Sequence, residues 1–163
     1  MNDMTRPAAA LNTRFISHGT LGSKDLDATR KFYEQFLGLE VIRTGKNSLM
    51  IRLGGQHVYA VVGTARKERM PRHYHNGLDV PTDADVDRAW ELCKEQAEQW
   101  GLTEIQKPSE RHGTYSFLFW DRDENAWEIM SNPKGGYTWI FEQGDLEGRG
   151  HWEKGFRDKR PAE

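Results

Sequence analysis

Three residues of this 163-residue chain carry metal-binding side chains within strand-like segments. His18 begins "HGTLGS", His75 begins the run "HNGLDV", and Glu128 lies inside "NAWEIMS". Strand alternation sends Glu128 to the face opposite Trp127 and Ile129, and a carboxylate facing a sheet interior is costly unless it is paired or holds a metal. Two histidines and one carboxylate form the facial triad that binds non-haem Fe(II) and also accommodates Mn(II).

Each of these residues also has an ordinary structural explanation. His18 and His75 are compatible with hydrogen-bonded core histidines, and Glu128 is compatible with a solvated strand edge. The metal interpretation is favoured because the histidines occupy matched positions of a repeated unit.

The predicted elements that position the three residues occur twice along the chain, as an internal repeat. The run from His18 to Leu21 matches the run from His75 to Leu78, and in each half an amphipathic helix and three strand-like segments follow. The pattern predicts an α+β fold of two βαβββ modules, at about residues 14–64 and 73–132, whose open sheet faces surround a common cleft. His18 and His75 are then expected to converge in that cleft.

The remaining segments and the composition limit the class of protein. We predict one domain over residues 14–143, a flexible N-terminal arm over 1–13 and a C-terminal arm over 144–163, in which His151 has no role. A net charge of −2 argues against nucleic acid, and the single cysteine, Cys93, excludes an internal disulfide. Because no apolar run has membrane-spanning length and no signal-peptide pattern is present, a soluble cytoplasmic protein is expected.

Three stretches carry a resemblance to a known family. The segments "HGTLGSKDLDATRKFYEQFLGLEV", "HNGLDV" and "FWDRDENAWEIM" resemble the vicinal oxygen chelate superfamily of glyoxalases, bleomycin-resistance proteins and extradiol dioxygenases, across roughly residues 15 to 132. The resemblance implies paired βαβββ modules that form a cupped mixed sheet around a metal cleft. It also implies that His18, His75 and Glu128 are the metal ligands.

Within that superfamily, the chain is most similar to single-domain type I extradiol dioxygenases. His57 in "GGQHVYAVV" and His112 in "RHGTYSF" match two further histidines of that class, which implies catalytic roles for both. Leu118 stands where those enzymes have a tyrosine. Tyr59 stands where glyoxalase I has a fourth metal ligand, which argues against a glyoxalase. As alternatives, His57 is an exposed edge histidine and His112 a loop histidine.

The resemblance therefore implies an Fe(II)-dependent dioxygenase that cleaves a catecholic or similar vicinal diol with O2, in aromatic compound catabolism, with His57 transferring protons. The first alternative is a Mn(II)- or other metal-dependent isomerase or transferase, similar to glyoxalase or fosfomycin-resistance enzymes. The second is a metal-free drug-binding protein of the same fold. We also expect a homodimer, in which the aromatic run "YTWIF" packs at an interface or covers the cleft.

Overall fold

The computed structural model describes residues 10–11, 15–65, 68–146 and 150–161. The predicted N-terminal arm lies outside these ranges except for residues 10 and 11. Among the helices that are described, none has the length and apolar character needed to cross a membrane.

The first module folds as a four-stranded mixed sheet with one helix. Its strand order is β1-β4-β3-β2, and β1 runs parallel to β4. The helix begins after Asp25, whose carboxylate accepts hydrogen bonds from the backbone N–H groups of Asp27 and Ala28. Its elements are β1 (His18–Ser23), α1 (Leu26–Gln35), β2 (Glu40–Gly45), β3 (Ser48–Arg52) and β4 (Val58–Gly63).

The second module repeats this arrangement with the order β5-β8-β7-β6, and β5 runs parallel to β8. A capping box between Thr82 and Asp85 begins its helix, which is interrupted at Gln96 before a final short turn. The predicted α+β fold of paired βαβββ modules is thereby confirmed. Its elements are β5 (Asn76–Val80), α2 (Asp83–Glu95), α3 (Ala97–Trp100), β6 (Ser109–Arg111), β7 (Thr114–Trp120) and β8 (Ala126–Ser131).

The two modules share one hydrophobic core on their helix-covered sides. The ring of Tyr33 meets that of Trp127 edge-on at 5.6 Å between centroids. The turn before β8 adds polar contacts: Asp123 accepts a hydrogen bond from Lys24 N at 2.7 Å, and Asn125 Nδ2 donates to Gly22 O at 3.0 Å. The modules are therefore joined through the faces that do not carry His18 or Glu128.

The opposite faces of the two sheets differ in exposure. In the first module, this face carries His18, Thr20, Ala60 and the exposed Ile42 and Val62, whose exposed fractions are 60% and 39%. In the second module, the corresponding face is buried. Its buried residues are Thr114, Ser116, Leu118, Trp120, Ala126, Glu128 and Met130.

Part of that second face is covered by a C-terminal segment, residues 137–146 and 150–161, which contains α4 (Thr138–Phe141) and two short 3₁₀ helices (Gly150–Trp152 and Phe156–Lys159). The rings of Trp139 and Phe156 are buried and lie 5.3 Å apart. Arg157 forms an ion pair with Asp83, and Arg160 Nη1 donates to Ser131 O at 3.2 Å. The described part of the predicted C-terminal arm is thus docked on the second module.

Gly113 provides a test of this docking. Its φ is +77°, and an added Cβ would lie 2.9 Å from Phe156 Cδ1. We expect Gly113→Ala to lower the free energy of unfolding by about 1 to 2 kcal/mol for the left-handed backbone, plus about 1 to 3 kcal/mol for displacing Phe156. Gly38→Ala is the matched control, because Gly38 has φ +71° and nothing within 4 Å of the added Cβ. Equal losses in urea unfolding of the two variants would contradict tight docking of Phe156.

Candidate metal centre

Two of the three predicted ligands meet on the buried face of the second sheet. His75 directly precedes β5, and Glu128 lies in the middle of β8, opposite Gly77 in the parallel pairing. The distance from His75 Nε2 to Glu128 Oε2 is 2.9 Å. The structure therefore brings His75 and Glu128 together, side by side at one edge of the sheet.

The surroundings of Glu128 favour its charged form. The residue is only 4% exposed, and burial by itself raises the pKa of the carboxyl. Hydrogen bonds from His75 and from Ser116 Oγ, the latter at 2.7 Å to Oε1, more than offset burial and lower the Glu128 pKa. Glu128 is consequently an ionised acceptor at neutral pH.

The imidazole of His75 is held at both nitrogens. Its pKa is raised, chiefly by the hydrogen bond to Glu128, with burial acting in the opposite direction. Nδ1 lies 2.7 Å from Arg72 O and donates to this carbonyl, which directs Nε2 towards the carboxylate. A metal-ligating histidine commonly makes this kind of contact through its second nitrogen. His75 is therefore oriented to present Nε2 either as an N–H donor or as a ligand.

His18 is not part of this pair. It lies at the start of β1 on the exposed face of the first sheet, where its Nδ1 is 2.7 Å from Ser17 Oγ. Across the described ranges, no three His, Cys, Asp or Glu side chains are grouped to hold one ion. Within one chain His18 lies apart from His75, because the modules join through their helix-covered sides, and its role as a ligand stays a prediction.

His57 also lies away from the pair. Its Nδ1 donates to Ile16 O at 3.2 Å, and its ring meets that of Tyr59 edge-on. Together with Leu78 and Trp127, these two rings line a cavity of about 150 Å³. Trp127 points to the face opposite Glu128, so the single chain does not bring His57 to the predicted ligands. Its acid–base role stays a prediction.

His112 lies nearer to the pair, in the turn between β6 and β7. Its backbone φ is +52°, and its Nδ1 is buried without a hydrogen-bond partner. Burial lowers the pKa of His112, with a further contribution from His151, while the charges of Glu128 and His75 also act on the ring. His112 is thus a neutral imidazole in the electrostatic neighbourhood of the pair.

The structure also identifies site residues that the sequence did not indicate. The Ser116 hydroxyl donates a hydrogen bond to Glu128. The Tyr137 hydroxyl is hydrogen-bonded to Thr114, and the charge of Glu128 acts on it. Strand alternation offered a signal for Ser116, since it lies two residues before Leu118, the residue paired with Glu128. No local pattern indicated Tyr137, which arrives from the C-terminal segment.

Comparison with known proteins agrees with this architecture. The family model described as "Glyoxalase/Bleomycin resistance protein/Dioxygenase superfamily" matches residues 15–129, most of the chain. The chain belongs to this superfamily. Among curated proteins, none matches it in sequence.

Solved structures share the fold at low sequence identity. A possible glyoxalase from Bacillus cereus is 23% identical with a TM-score of 0.59, and the match covers 72% of this chain and 99% of that one. The fosfomycin resistance protein FosX from Listeria monocytogenes is 22% identical with a TM-score of 0.58, and the match covers 75% of this chain and 96% of that one. A glyoxalase/dioxygenase from Nostoc punctiforme is 20% identical with a TM-score of 0.58, and the match covers 79% of this chain and 98% of that one. These matches show the fold, and they leave part of this chain without a counterpart.

Proposed function

We propose that the protein is an Fe(II)-dependent extradiol-type dioxygenase that cleaves a catecholic or similar vicinal diol with O2. The observation that carries this proposal is the His75 Nε2–Glu128 Oε2 contact of 2.9 Å on a buried sheet face. A histidine and a carboxylate at adjacent positions form two thirds of the non-haem Fe(II) triad. Membership of a superfamily that includes dioxygenases supports the same chemistry.

The donor atoms of the pair suit a divalent metal. Glu128 Oε1 accepts a hydrogen bond from Ser116 Oγ, and His75 Nδ1 donates one to Arg72 O. The remaining atoms, Glu128 Oε2 and His75 Nε2, are directed at each other. These two atoms would hold a divalent metal, and because a ligating Nε2 must be deprotonated, metal affinity would fall as pH drops through the raised pKa of His75. The His75 side chain is 32% exposed, so the pair is accessible from outside the chain.

The third ligand, His18, comes from a second copy of the chain. His18 lies on an exposed sheet face that also carries the apolar side chains of Ile42 and Val62, which a partner would cover. Docking this face near His75 of another copy supplies the missing histidine and buries the apolar surface. By the twofold symmetry of such a dimer, each pair of chains has two complete sites.

When bound by these residues, a metal would supply the Lewis acidity that lowers the pKa of the diol and would bring the two reactants together. The chain's own residues supply orientation and proton transfer. Ser116 and His75 keep Glu128 ionised, while the buried Leu118, directly opposite Glu128, provides an apolar surface that excludes water. His57 and His112 are the candidate groups for accepting the diol proton.

A second candidate is a Mn(II)-dependent isomerase or transferase that uses the same three ligands. The position of His57 favours it, because the His57 ring lines the cavity with Tyr59 and Trp127 rather than lying beside Glu128. That chemistry requires no acid–base histidine at this position. The fold shared with fosfomycin resistance proteins is compatible with it.

Oxygen uptake tests the dioxygenase proposal. We expect protein loaded anaerobically with Fe(II) to consume O2 with members of a catechol panel and to release a yellow ring-opened product. His57→Gln and His112→Gln, made separately, should retain iron, and the one that transfers the proton should slow turnover by about 10²- to 10⁴-fold. Mn(II)-loaded protein serves as the metal control. Iron-replete protein that consumes no O2 with any catechol would overturn the dioxygenase proposal and favour the second candidate.

A further inference from the structure

The C-terminal segment lies outside the part of the chain that defines the superfamily. The family match ends at residue 129, whereas the segment begins at Tyr137. It nevertheless packs on the module that carries His75 and Glu128, through the buried Trp139 and Phe156. This chain therefore adds its own structure to one end of the candidate site.

The segment contacts the turn that holds His112. The Trp152 ring meets the His112 ring edge-on, with centroids 3.7 Å apart, and the His151 ring lies 5.1 Å from it. Phe156 packs against Gly113, the next residue of the turn. Both turn residues have left-handed backbone angles, φ +52° for His112 and +77° for Gly113. A histidine in this conformation is strained, so neighbouring contacts are needed to hold it there.

We propose that Trp152 is a positioning residue that holds the His112 ring in place, with His151 beside it, so that the C-terminal segment completes the candidate catalytic site. The catalytic meaning of this inference rests on the proposed function, whereas the contacts themselves do not. Trp152 acts through ring packing, and the neighbouring His151 acts on the His112 ring through its charge.

The charges around His112 agree with this arrangement. His151, Arg111 and His75 disfavour a proton on the ring, Glu128 favours one, and burial disfavours one most strongly. The buried Nδ1 has no hydrogen-bond partner, so no described contact fixes the ring by its polar atoms on that side. Packing against Trp152 is then the contact that orients the ring, and the result is a neutral imidazole able to accept a proton.

Histidine NMR on the metal-free protein tests the proposal without any activity measurement. Trp152 is 57% exposed, so Trp152→Leu should leave the fold intact. We expect this variant to lose the ring-current shift of the His112 Cδ2–H and Cε1–H signals and to raise the His112 pKa, because burial is reduced. His151→Gln should raise the His112 pKa while keeping the ring-current shift.

Phe141→Leu is the matched control, since Phe141 is an exposed aromatic residue of the same segment without a ring contact to His112. It should leave both His112 signals and the His112 titration as in the wild type. If Trp152→Leu and His151→Gln also leave them unchanged, the positioning proposal is overturned.

A second measurement connects the contact to turnover. In protein that shows the proposed activity and is kept saturated with iron, the acid limb of the kcat/KM profile should move to higher pH in both variants, and His112→Gln should remove the contribution of His112 to that limb. An unshifted limb together with altered NMR signals would overturn the catalytic part of the inference. Failure of the proposed function itself would appear as absent turnover in the wild type, with the NMR changes intact.

Discussion

Alanine substitution of His18, His75 or Glu128 is expected to reduce iron affinity by more than about 100-fold, because a facial triad reduced to two protein ligands no longer holds the ion. The wild type should bind one iron per chain, measured by elemental analysis and by anaerobic titration calorimetry. The fold should persist in His18→Ala in particular, since His18 is exposed and its ring Nδ1 lies in hydrogen-bond contact with Ser17 Oγ at the surface.

Two control variants make this result specific. Ser116→Ala removes the hydrogen bond to Glu128 Oε1 but no ligand, and should weaken iron binding by about 10- to 100-fold while leaving a detectable site. His73→Gln, which changes an exposed histidine within the 3₁₀ helix Arg72–Tyr74 that directly precedes His75, should bind iron as the wild type does. Full iron occupancy in all three alanine variants would show that these residues are not the iron ligands.

Mixing two inactive variants is expected to restore iron binding. In a heterodimer of His18→Ala and Glu128→Ala, one site combines the intact His18 of one chain with the intact His75 and Glu128 of the other. The second site lacks both substituted groups. The heterodimer should therefore bind one iron per two chains, whereas each variant by itself binds almost none.

The control pair is His75→Ala with Glu128→Ala. Both residues belong to the same module and lie 2.9 Å apart, so every site in that mixture lacks one of them. It should show no recovery after co-refolding and isolation of the tagged heterodimer. Recovery of iron binding in both mixtures would contradict a site shared between two copies. Recovery in neither mixture, with a wild type that is dimeric and iron-loaded, would also contradict it.

The fold was predictable because its local signals agree with one another. The capping residues Asp25 and the Thr82–Asp85 box begin the two long helices, and period-2 patterning placed Trp127 and Glu128 on opposite faces of β8. The meeting of His75 with Glu128 followed from the parallel pairing that the repeated βαβββ unit requires. These features depend on short stretches of sequence.

The features that were missed depend on how distant parts of the chain pack. The association of the modules is decided by complementary aromatic side chains, such as Tyr33 against Trp127, and no repeat pattern encodes which faces meet. The C-terminal segment docks through isolated residues, among them Trp139 and Phe156, separated by glycine and charge. Because the part of this segment from residue 144 onward has no periodicity, the sequence predicts only an arm there and gives no sign that the His151 ring lies beside the His112 ring.

Because His18 lies apart from His75 and Glu128, iron occupancy of the proposed shared site would depend on mass action. When a site requires two chains, iron and the partner chain stabilise each other's binding, so each raises the apparent affinity of the other by the same factor. Dilution below the dimer dissociation constant then releases iron even at constant free iron concentration. Cellular abundance of the chain would set the fraction of protein that is competent for chemistry.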